Sequence, residues 1–248
     1  MKLTTLKENL KEGLSLVSHI AGKNQNLPIL NNIMIDAREG NTKLISTNLE
    51  IGIVHTIRGK IEEEGVYTVG SKVISDYINL LPNKQINIEQ QKGNIKIECE
   101  NYKTKIKGQP GDDFPLIPSV DKSNSFQADI NEFKKALSKV VFAVSSSESR
   151  LELSGVVFIF NENKLTMAAT DSYRLAEKEI DIKTESSNID GQKIIIPAKT
   201  LQELIRILSG LRDNGTMAEE GEEINFFVFR NFVDVATYIY YNILYKNG

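Results

Sequence analysis

The chain has 248 residues, of which 40% are apolar and 25% charged, and its formal net charge is −3. This balance disfavours a protein that binds nucleic acid over its whole surface, although it is compatible with a single basic face. No apolar run approaches the roughly 20 residues of a membrane-spanning helix, and charges interrupt the N-terminal segment "MKLTTLKENLKEGL" before a secretory signal could form. We therefore expect a cytoplasmic protein of one large or two medium domains.

Residues that bind transition metals are scarce in this chain. Cys99 is the only cysteine, which excludes an internal disulfide, and it lies in the strand-like segment "IKIECE". His19 and His55 are far apart, without carboxylate or cysteine partners at ligand spacing. We expect no metal site and no cofactor.

The first segment is predicted to be an amphipathic helix, because apolar residues recur every three or four positions. These residues are Leu6, Leu10, Leu14 and Val17. Thr5 and Glu8 fit a capping box at its start. Alternating strand-like segments follow, then a second helix from about Lys72 to Leu81 that ends at Pro82, and then further strands.

Periodicity stops between Gly108 and Ser125. This stretch contains three of the six prolines in the chain, together with glycine, serine and asparagine residues. Such a composition predicts a linker.

The order of elements then repeats. The segment "DINEFKKALSKVVFAV" is amphipathic, "SGVVFIF" and "KLTMAATDSYRLAEKEIDI" are strand-like, and "PAKTLQELIRIL" is helical. The inward-facing residues of the first of these are predicted to be Ile130, Phe133, Leu137, Val140 and Val144. An offset of 123 positions pairs Leu30 with Leu153 and Thr47 with Thr170, and an offset of 127 pairs Lys72 with Lys199. A repeat of this length indicates a duplicated domain, since solenoid units span only about 20 to 50 residues.

The duplication relates two heptapeptides, "TNLEIGI" from Thr47 and "TDSYRLA" from Thr170. The second has Tyr173 and Arg174 where the first has Glu50 and Ile51. Both are interpreted as strand segments, and a strand with a salt-bridged arginine is the simpler reading of the second.

No catalytic motif is found in the sequence. It contains no phosphate-binding GxxxxGK[ST] or GxGxxG loop and no GxSxG motif, and Ser145 to Ser147 have no histidine nearby to activate them. Asp112 and Asp113 could bind a metal for nuclease chemistry, but a solvated turn explains them better. We expect no enzymatic activity.

Basic residues concentrate on the outer faces of the predicted helices. They are Lys7, Lys11, Lys134, Lys135, Lys139, Lys199 and Arg206. Such lysines are usually solvated, yet a basic helical face in an acidic protein could also follow the phosphates of DNA without reading sequence.

Seven segments in one order resemble the bacterial DNA polymerase III beta subunit, the beta sliding clamp family, over residues 1 to about 229. They are "NLPILNNIMID", "LISTNLEIGI", "TVGSKVISDYINLLP", "DDFPLIP", "ELSGVVF", "AATDSYRLA" and "IIIPAKTLQELIRIL". The resemblance implies an α+β fold of tandem DNA-clamp domains, each with helices packed on one face of antiparallel sheets. It also implies a non-catalytic accessory subunit of the polymerase holoenzyme, a nucleotidyltransferase, which tethers polymerase to duplex DNA as a processivity factor.

The resemblance further implies a cleft that binds short motifs of the polymerase catalytic subunit, the clamp loader and other partner proteins. The matching positions are Leu153, Thr170, Ser172, Tyr173, Arg174 and Leu175. The matching DNA-binding positions are Lys23, Asn24, Lys72, Arg150 and Lys199. Several family members carry arginine where this chain has Asn24 and Ala198.

The family pattern predicts clamp domains at residues 1–120 and 126–248, with an atypical tail after about residue 229 that we expect to be partly strand. Family protomers carry a third domain and pair head to tail as a homodimer, so a chain lacking that domain is expected to be a truncated clamp with impaired ring closure. An alternative is a regulatory or decoy module that captures clamp partners without forming a ring.

Overall fold

A computed structural model describes residues 1–22, 26–117, 125–147, 150–184, 190–213, 223–228 and 239–243. The chain divides into two compact units, residues 1–118 and 119–248. Each unit contains two α-helices and antiparallel strands, so the predicted α+β class is confirmed.

The first unit is built on one nine-stranded antiparallel sheet in the order β4-β3-β2-β6-β9-β8-β7-β1-β5. Its strands are β1 (Lys2–Leu6), β2 (Asn32–Arg38), β3 (Asn41–Thr47), β4 (Gly52–Ile57), β5 (Gly59–Glu63), β6 (Gly65–Gly70), β7 (Gln85–Gln91), β8 (Asn94–Cys99) and β9 (Tyr102–Pro110). Its helices are α1 (Lys7–Val17), α2 (Ser71–Leu80) and a short 3-10 helix, Pro28–Asn31. The helices α1 and α2 pack on each other, and α1 also packs on β3 and β4.

Strand β9 joins the two halves of this sheet. It pairs with β8 from Tyr102 to Lys107 and then with β6, where Gly108 lies opposite Val69 and Pro110 opposite Tyr67. The predicted start of the linker at Gly108 was therefore wrong, because residues 108–110 find a strand partner about forty positions earlier in the chain.

In its described residues, the second unit has two four-stranded antiparallel sheets, in the orders β14-β10-β16-β17 and β13-β12-β11-β15. Its strands are β10 (Ser125–Asp129), β11 (Gly155–Asn161), β12 (Lys164–Thr170), β13 (Leu175–Asp181), β14 (Lys183–Thr184), β15 (Lys193–Pro197), β16 (Glu223–Val228) and β17 (Ile239–Ile243). Its helices are α3 (Ile130–Val140), α4 (Ala198–Asp213) and the short 3-10 helices Val141–Ala143 and Leu151–Leu153. The prediction that the tail after residue 229 is partly strand agrees with β17, and residues 229–238 and 244–248 lie outside the described part.

Helix α3 shows how local sequence and packing cooperate in the second unit. Asp129 caps its start by accepting a hydrogen bond from the backbone N–H of Glu132 at 2.8 Å, and Lys139 lies in its last turn, where a cation is favoured. The predicted inward residues Ile130, Phe133, Leu137 and Val140 are buried, and Val144 packs against the same core. This core also holds the apolar sides of β11, β12 and α4.

The predicted capping box at α1 was wrong. Thr5 lies in β1, and its hydroxyl donates to the carbonyl of Arg58 at 2.6 Å, so it does not cap the helix. Leu6, predicted to be on the buried face, precedes the helix and is exposed. A carbonyl 53 positions away therefore replaces the local partner that the sequence suggested.

No helix in the described ranges is long and apolar enough to cross a membrane.

Candidate functional site

The heptapeptide "TDSYRLA" contains a hairpin turn and is not the continuous strand that was predicted. Residues 171–174 connect β12, which ends at Thr170, to β13, which begins at Leu175. The Thr170 hydroxyl both donates to the carbonyl of Arg174 (2.7 Å) and accepts from the N–H of Ser172 (3.1 Å). The Asp171 Oδ1 atom accepts from the backbone N–H groups of Tyr173 and Arg174, each at 3.0 Å. Four hydrogen bonds thus fix the backbone that presents Tyr173.

The first unit contains the same turn at residues 47–51, between β3 and β4. The Thr47 hydroxyl donates to the carbonyl of Ile51 (2.9 Å) and accepts from the N–H of Leu49 (3.0 Å). Asn48 Oδ1 accepts from the N–H groups of Glu50 (3.0 Å) and Ile51 (2.7 Å). The third residue has a positive φ in both turns, 76° at Leu49 and 79° at Ser172. The predicted equivalence of the two heptapeptides is therefore confirmed at the level of individual hydrogen bonds.

The two turns differ in what they expose. In the first, Ile51 is buried, and the linker residue Ile117 covers Gly52, where a Cβ would lie only 3.1 Å from Ile117 Cδ1. In the second, Tyr173 is 98% exposed and Leu175, at the position of Gly52, is 70% exposed. A rigid hairpin of the second unit therefore holds two large apolar side chains in solvent, where their burial by a partner is favourable.

Arg174 is held by two neighbours. Its Nε donates to Asp171 Oδ2 at 2.9 Å, and its guanidinium carbon lies 5.4 Å from the ring centroid of Phe142, a cation–π arrangement. Phe142 itself is 59% exposed. The arginine is therefore oriented before any partner binds.

The carboxyl group of Asp171 has a pKa lowered from its usual 3.8, chiefly because it accepts the backbone N–H bonds of Tyr173 and Arg174. The ionised form is the one that these bonds favour. The stabilisation that these hydrogen bonds give to the folded turn is complete at pH values above the ordinary pKa of an aspartate. It is lost as the pH falls through the lowered pKa of Asp171 in the folded protein. The turn is thus intact at neutral and mildly acidic pH.

The loop that carries Leu153 also contacts this turn. Arg150 Nη1 donates to Ser172 Oγ at 3.4 Å, and the N–H of Leu153 donates to the carbonyl of Arg150 at 3.0 Å. The carbonyl of Leu153 accepts from the N–H of Ser145 at 2.9 Å, and its side chain is half-buried. Arg150, assigned from the sequence to DNA, thus lies against a residue assigned to the partner cleft.

Phe142 was missed by the sequence reasoning. The periodicity that placed Val140 and Val144 inward also places Phe142 on the opposite side, because two residues advance about 200° around a helix. An aromatic residue at an outward position was the signal that could have identified it.

The predicted DNA-binding lysines occupy matching positions in the two units. Lys72 is the second residue of α2 and Lys199 the second residue of α4, and both are exposed. The other two predicted DNA contacts in the first unit, Lys23 and Asn24, lie outside the described residues.

Two of the basic helical residues have partners within their own unit. Lys7 Nζ donates to the carbonyls of Asn79 and Leu81 at the end of α2, and Arg206 Nε donates to the buried Glu203 at 2.8 Å. By contrast, Lys11, Lys135 and Lys139 are exposed.

The described residues contain no candidate metal centre. Asp112 and Asp113 lie exposed in a turn, and no group of three or more His, Cys, Asp or Glu side chains within the described ranges could hold a metal ion.

Comparison with known proteins identifies the family. Residues 1–118 match the N-terminal domain of the DNA polymerase III beta subunit, and residues 127–228 match its central domain. The beta sliding clamp of Staphylococcus epidermidis is 33% identical over 192 residues, which are 74% of this chain and 50% of that protein. The clamp of Staphylococcus aureus gives the same identity and coverage.

Solved structures agree with this assignment. A protein of Eubacterium rectale assigned as a DNA polymerase III beta subunit superposes with a TM-score of 0.85 at 29% identity, covering 98% of this chain and 62% of that one. A Pseudomonas aeruginosa sliding clamp bound to griselimycin superposes with a TM-score of 0.80 at 25% identity, covering 92% and 59%.

The two domain matches span most of the sequence, and the chain belongs to the DNA polymerase III beta subunit family, the beta sliding clamps. The resemblance inferred from the sequence is confirmed. The chain spans about half the length of the curated relatives it matches.

Proposed function

We propose that this chain acts as part of a non-catalytic sliding clamp in the cytoplasm, contacting duplex DNA through its helices and docking partner proteins at the turn of the second unit. We further propose that its two units correspond to clamp domains at residues 1–120 and 126–248. The observation that carries the docking proposal is the exposure of Tyr173 and Leu175, whose first-unit counterparts are Glu50, which is exposed but charged, and Gly52, which Ile117 covers.

The docking surface consists of an apolar part and a polar part. Tyr173 and Leu175 supply exposed apolar area, and the loop that carries Leu153 contacts the same turn through Arg150. Arg174, oriented by Asp171 and Phe142, supplies a fixed donor for a backbone carbonyl or a carboxylate. A short peptide with apolar side chains and an acceptor fits this combination, because rigid aromatic and arginine anchors lose little entropy on binding.

The roles of the remaining predicted residues follow from their contacts. Thr170 fixes the turn through its two hydroxyl hydrogen bonds, and Ser172 occupies the strained position and accepts from Arg150. In this proposal Arg150 supports the docking surface through Ser172 and also adds to the positive charge available to DNA.

The proposed partners of the docking surface are the polymerase III catalytic subunit, the clamp loader and other proteins with clamp-binding motifs. The family's assembly is a head-to-tail homodimer, and we propose that these two units by themselves close such a ring poorly.

Docking is tested with griselimycin, the ligand of the Pseudomonas aeruginosa clamp. We expect calorimetry to detect binding to this chain, and we expect Tyr173→Ala or Arg174→Ala to weaken it by roughly tenfold to a hundredfold, as for anchor residues at other interfaces. Leu153→Ala should weaken it as well.

A matched control is available in the first unit. Glu50 occupies the position of Tyr173 in the equivalent turn, so Glu50→Ala should leave binding unchanged. Equal effects of Glu50→Ala and Tyr173→Ala, or no effect of either, would contradict the docking proposal.

The DNA contact is tested by charge reversal. We expect the double variant Lys72→Glu, Lys199→Glu to weaken binding to duplex DNA and to reduce the slope of log affinity against log salt by about one for each phosphate that is no longer neutralised. Lys105→Glu, which changes an exposed lysine on β9, should have a smaller effect. An unchanged slope in the double variant would show that these lysines do not contact phosphate.

A further inference from the structure

The nine-stranded sheet of the first unit carries lysines along one face of β8 and β9. Residues that lie opposite each other in an antiparallel pair of strands share one face of the sheet. The cross-strand pairs on this face are Lys96–Lys105, Glu98–Lys103 and Asn94–Lys107. Four lysines of two neighbouring strands therefore point to the same side, together with one carboxylate.

This side of the two strands is open to solvent. Lys103, Lys105 and Lys107 are exposed, whereas Ile97 and Ile106, which alternate with the lysines, are buried. All residues of the first unit are described except 23–25 and 118, which are too few to add a strand that covers this face. The exposure of the lysines is therefore a property of the described unit.

Only part of this positive charge is neutralised by the described residues. The carboxylate of Glu98 lies 3.0 Å from Lys96 Nζ and 3.1 Å from Lys103 Nζ. Hydrogen bonds from these two lysines lower the pKa of Glu98, so its carboxylate is ionised at neutral pH. Lys105 and Lys107 form no ion pair with any described residue. Lys105 also lies directly opposite the like charge of Lys96, an arrangement that costs stability.

We propose that this lysine face, defined by Lys96, Lys103, Lys105 and Lys107, is a second interaction surface and binds an extended acidic peptide segment of a partner protein. Alternate side chains of any extended strand are about 6.8 Å apart, so carboxylates at every second position of the peptide can follow the lysines of β9. The chain as a whole has a net charge of −3, so this attraction is local to the face. The proposal goes beyond docking at the turn of the second unit and does not depend on it.

An acidic peptide fits the lysine face better than a strand of nucleic acid does. Sites for single-stranded nucleic acid usually combine positive charge with aromatic rings on which the bases stack. The one aromatic residue of β9, Tyr102, pairs with the buried Cys99 and so belongs to the opposite face. The side chains that accompany the lysines on β7 and β8 are polar, namely Asn87, Glu89, Asn94 and Glu98.

Fluorescence anisotropy of the full chain with a fluorescein-labelled peptide of alternating glutamate and serine residues tests the proposal. We expect the peptide to bind in about 50 mM NaCl and to bind at least tenfold more weakly in about 300 mM NaCl, because salt screens exposed charges. The double variant Lys105→Glu, Lys107→Glu should also weaken binding at least tenfold, because it sets like charges against the peptide.

The double variant Lys43→Glu, Lys60→Glu is the matched control. It makes the same change in net charge on β3 and β5, which lie three and four strands away from β9 in the same sheet. It should change the affinity by less than about twofold, because distant exposed charges are largely screened. Thermal unfolding provides a check on structure, since Lys105→Glu sets opposite charges across from each other at Lys96 and should raise the unfolding temperature.

Three results would overturn the proposal. The first is a peptide that does not bind in 50 mM NaCl, or that binds the parent chain and the Lys105→Glu, Lys107→Glu variant equally. The second is an equal loss of affinity in this variant and in its control, because net charge alone would then explain the effect. The third is a single-stranded oligothymidine that binds more tightly than the peptide and depends on Lys105 and Lys107, which would assign the face to nucleic acid.

Discussion

Gly108→Ala is expected to lower the free energy of unfolding of the first unit by about 3 kcal/mol, at the upper end of the cost of overpacking. A Cβ at this position would lie 2.2 Å from the Thr68 carbonyl oxygen and 2.5 Å from Cε1 of the buried Tyr67. The Thr68 backbone cannot yield without disturbing the pairing of β6 with β9, which joins the two halves of the nine-stranded sheet.

Differential scanning calorimetry or urea unfolding followed by circular dichroism measures this change. Gly22→Ala is the control, because its nearest neighbouring atom, the Ile20 carbonyl oxygen, would be at an ordinary 3.5 Å from the new Cβ. That substitution should change stability by less than about 0.5 kcal/mol. Similar losses of stability for the two variants would show that the close approach of Thr68 and Tyr67 is not what excludes a side chain at Gly108.

Phe126→Ala is expected to cost the second unit about 3 to 5 kcal/mol, the usual range for removing a buried phenylalanine. The Phe126 ring lies 6.2 Å from that of Phe133 and 5.3 Å from that of Phe160, in tilted arrangements. These contacts connect β10 to α3 and β11, so the lost ring leaves a cavity where three elements meet.

The same unfolding measurement separates core from surface in this unit. Phe142→Ala removes an equally large ring that is 59% exposed, and it should cost much less stability. It should nevertheless weaken griselimycin binding, because Arg174 loses the ring that orients it. If Phe126→Ala cost no more stability than Phe142→Ala, Phe126 would not be part of the core.

Much of the fold was predictable because it depends on local periodicity. The Pro82 after α2 locates that helix to within about a residue, and the apolar spacing of α3 identifies its buried face. The paired offsets indicated the duplication, since Thr47 and Thr170 begin turns with the same hydrogen bonds. A turn in which a side chain forms a hydrogen bond to a backbone group two to four residues away can be predicted from the local residue types.

Two of the failed predictions involve partners distant in the chain. Thr5 fits a capping box, yet it bonds to the carbonyl of Arg58. Gly108 reads as the start of a linker, yet it continues a strand because β6 lies beside it. Sequence spacing cannot reveal which of two chemically suitable partners lies nearer in space.

The sequence by itself determined the family, the duplication and the substitution of Tyr173 and Arg174 for Glu50 and Ile51. Only the tertiary structure decided that these residues lie on a turn, that Asp171 and Phe142 orient the arginine, and that Ile117 covers Gly52, the first-unit counterpart of Leu175. The physical reason is that local sequence spacing does not determine side-chain exposure. Both turns have the same backbone, and whether a side chain is available to a partner depends on the residue at its position and on what the rest of the unit packs against it.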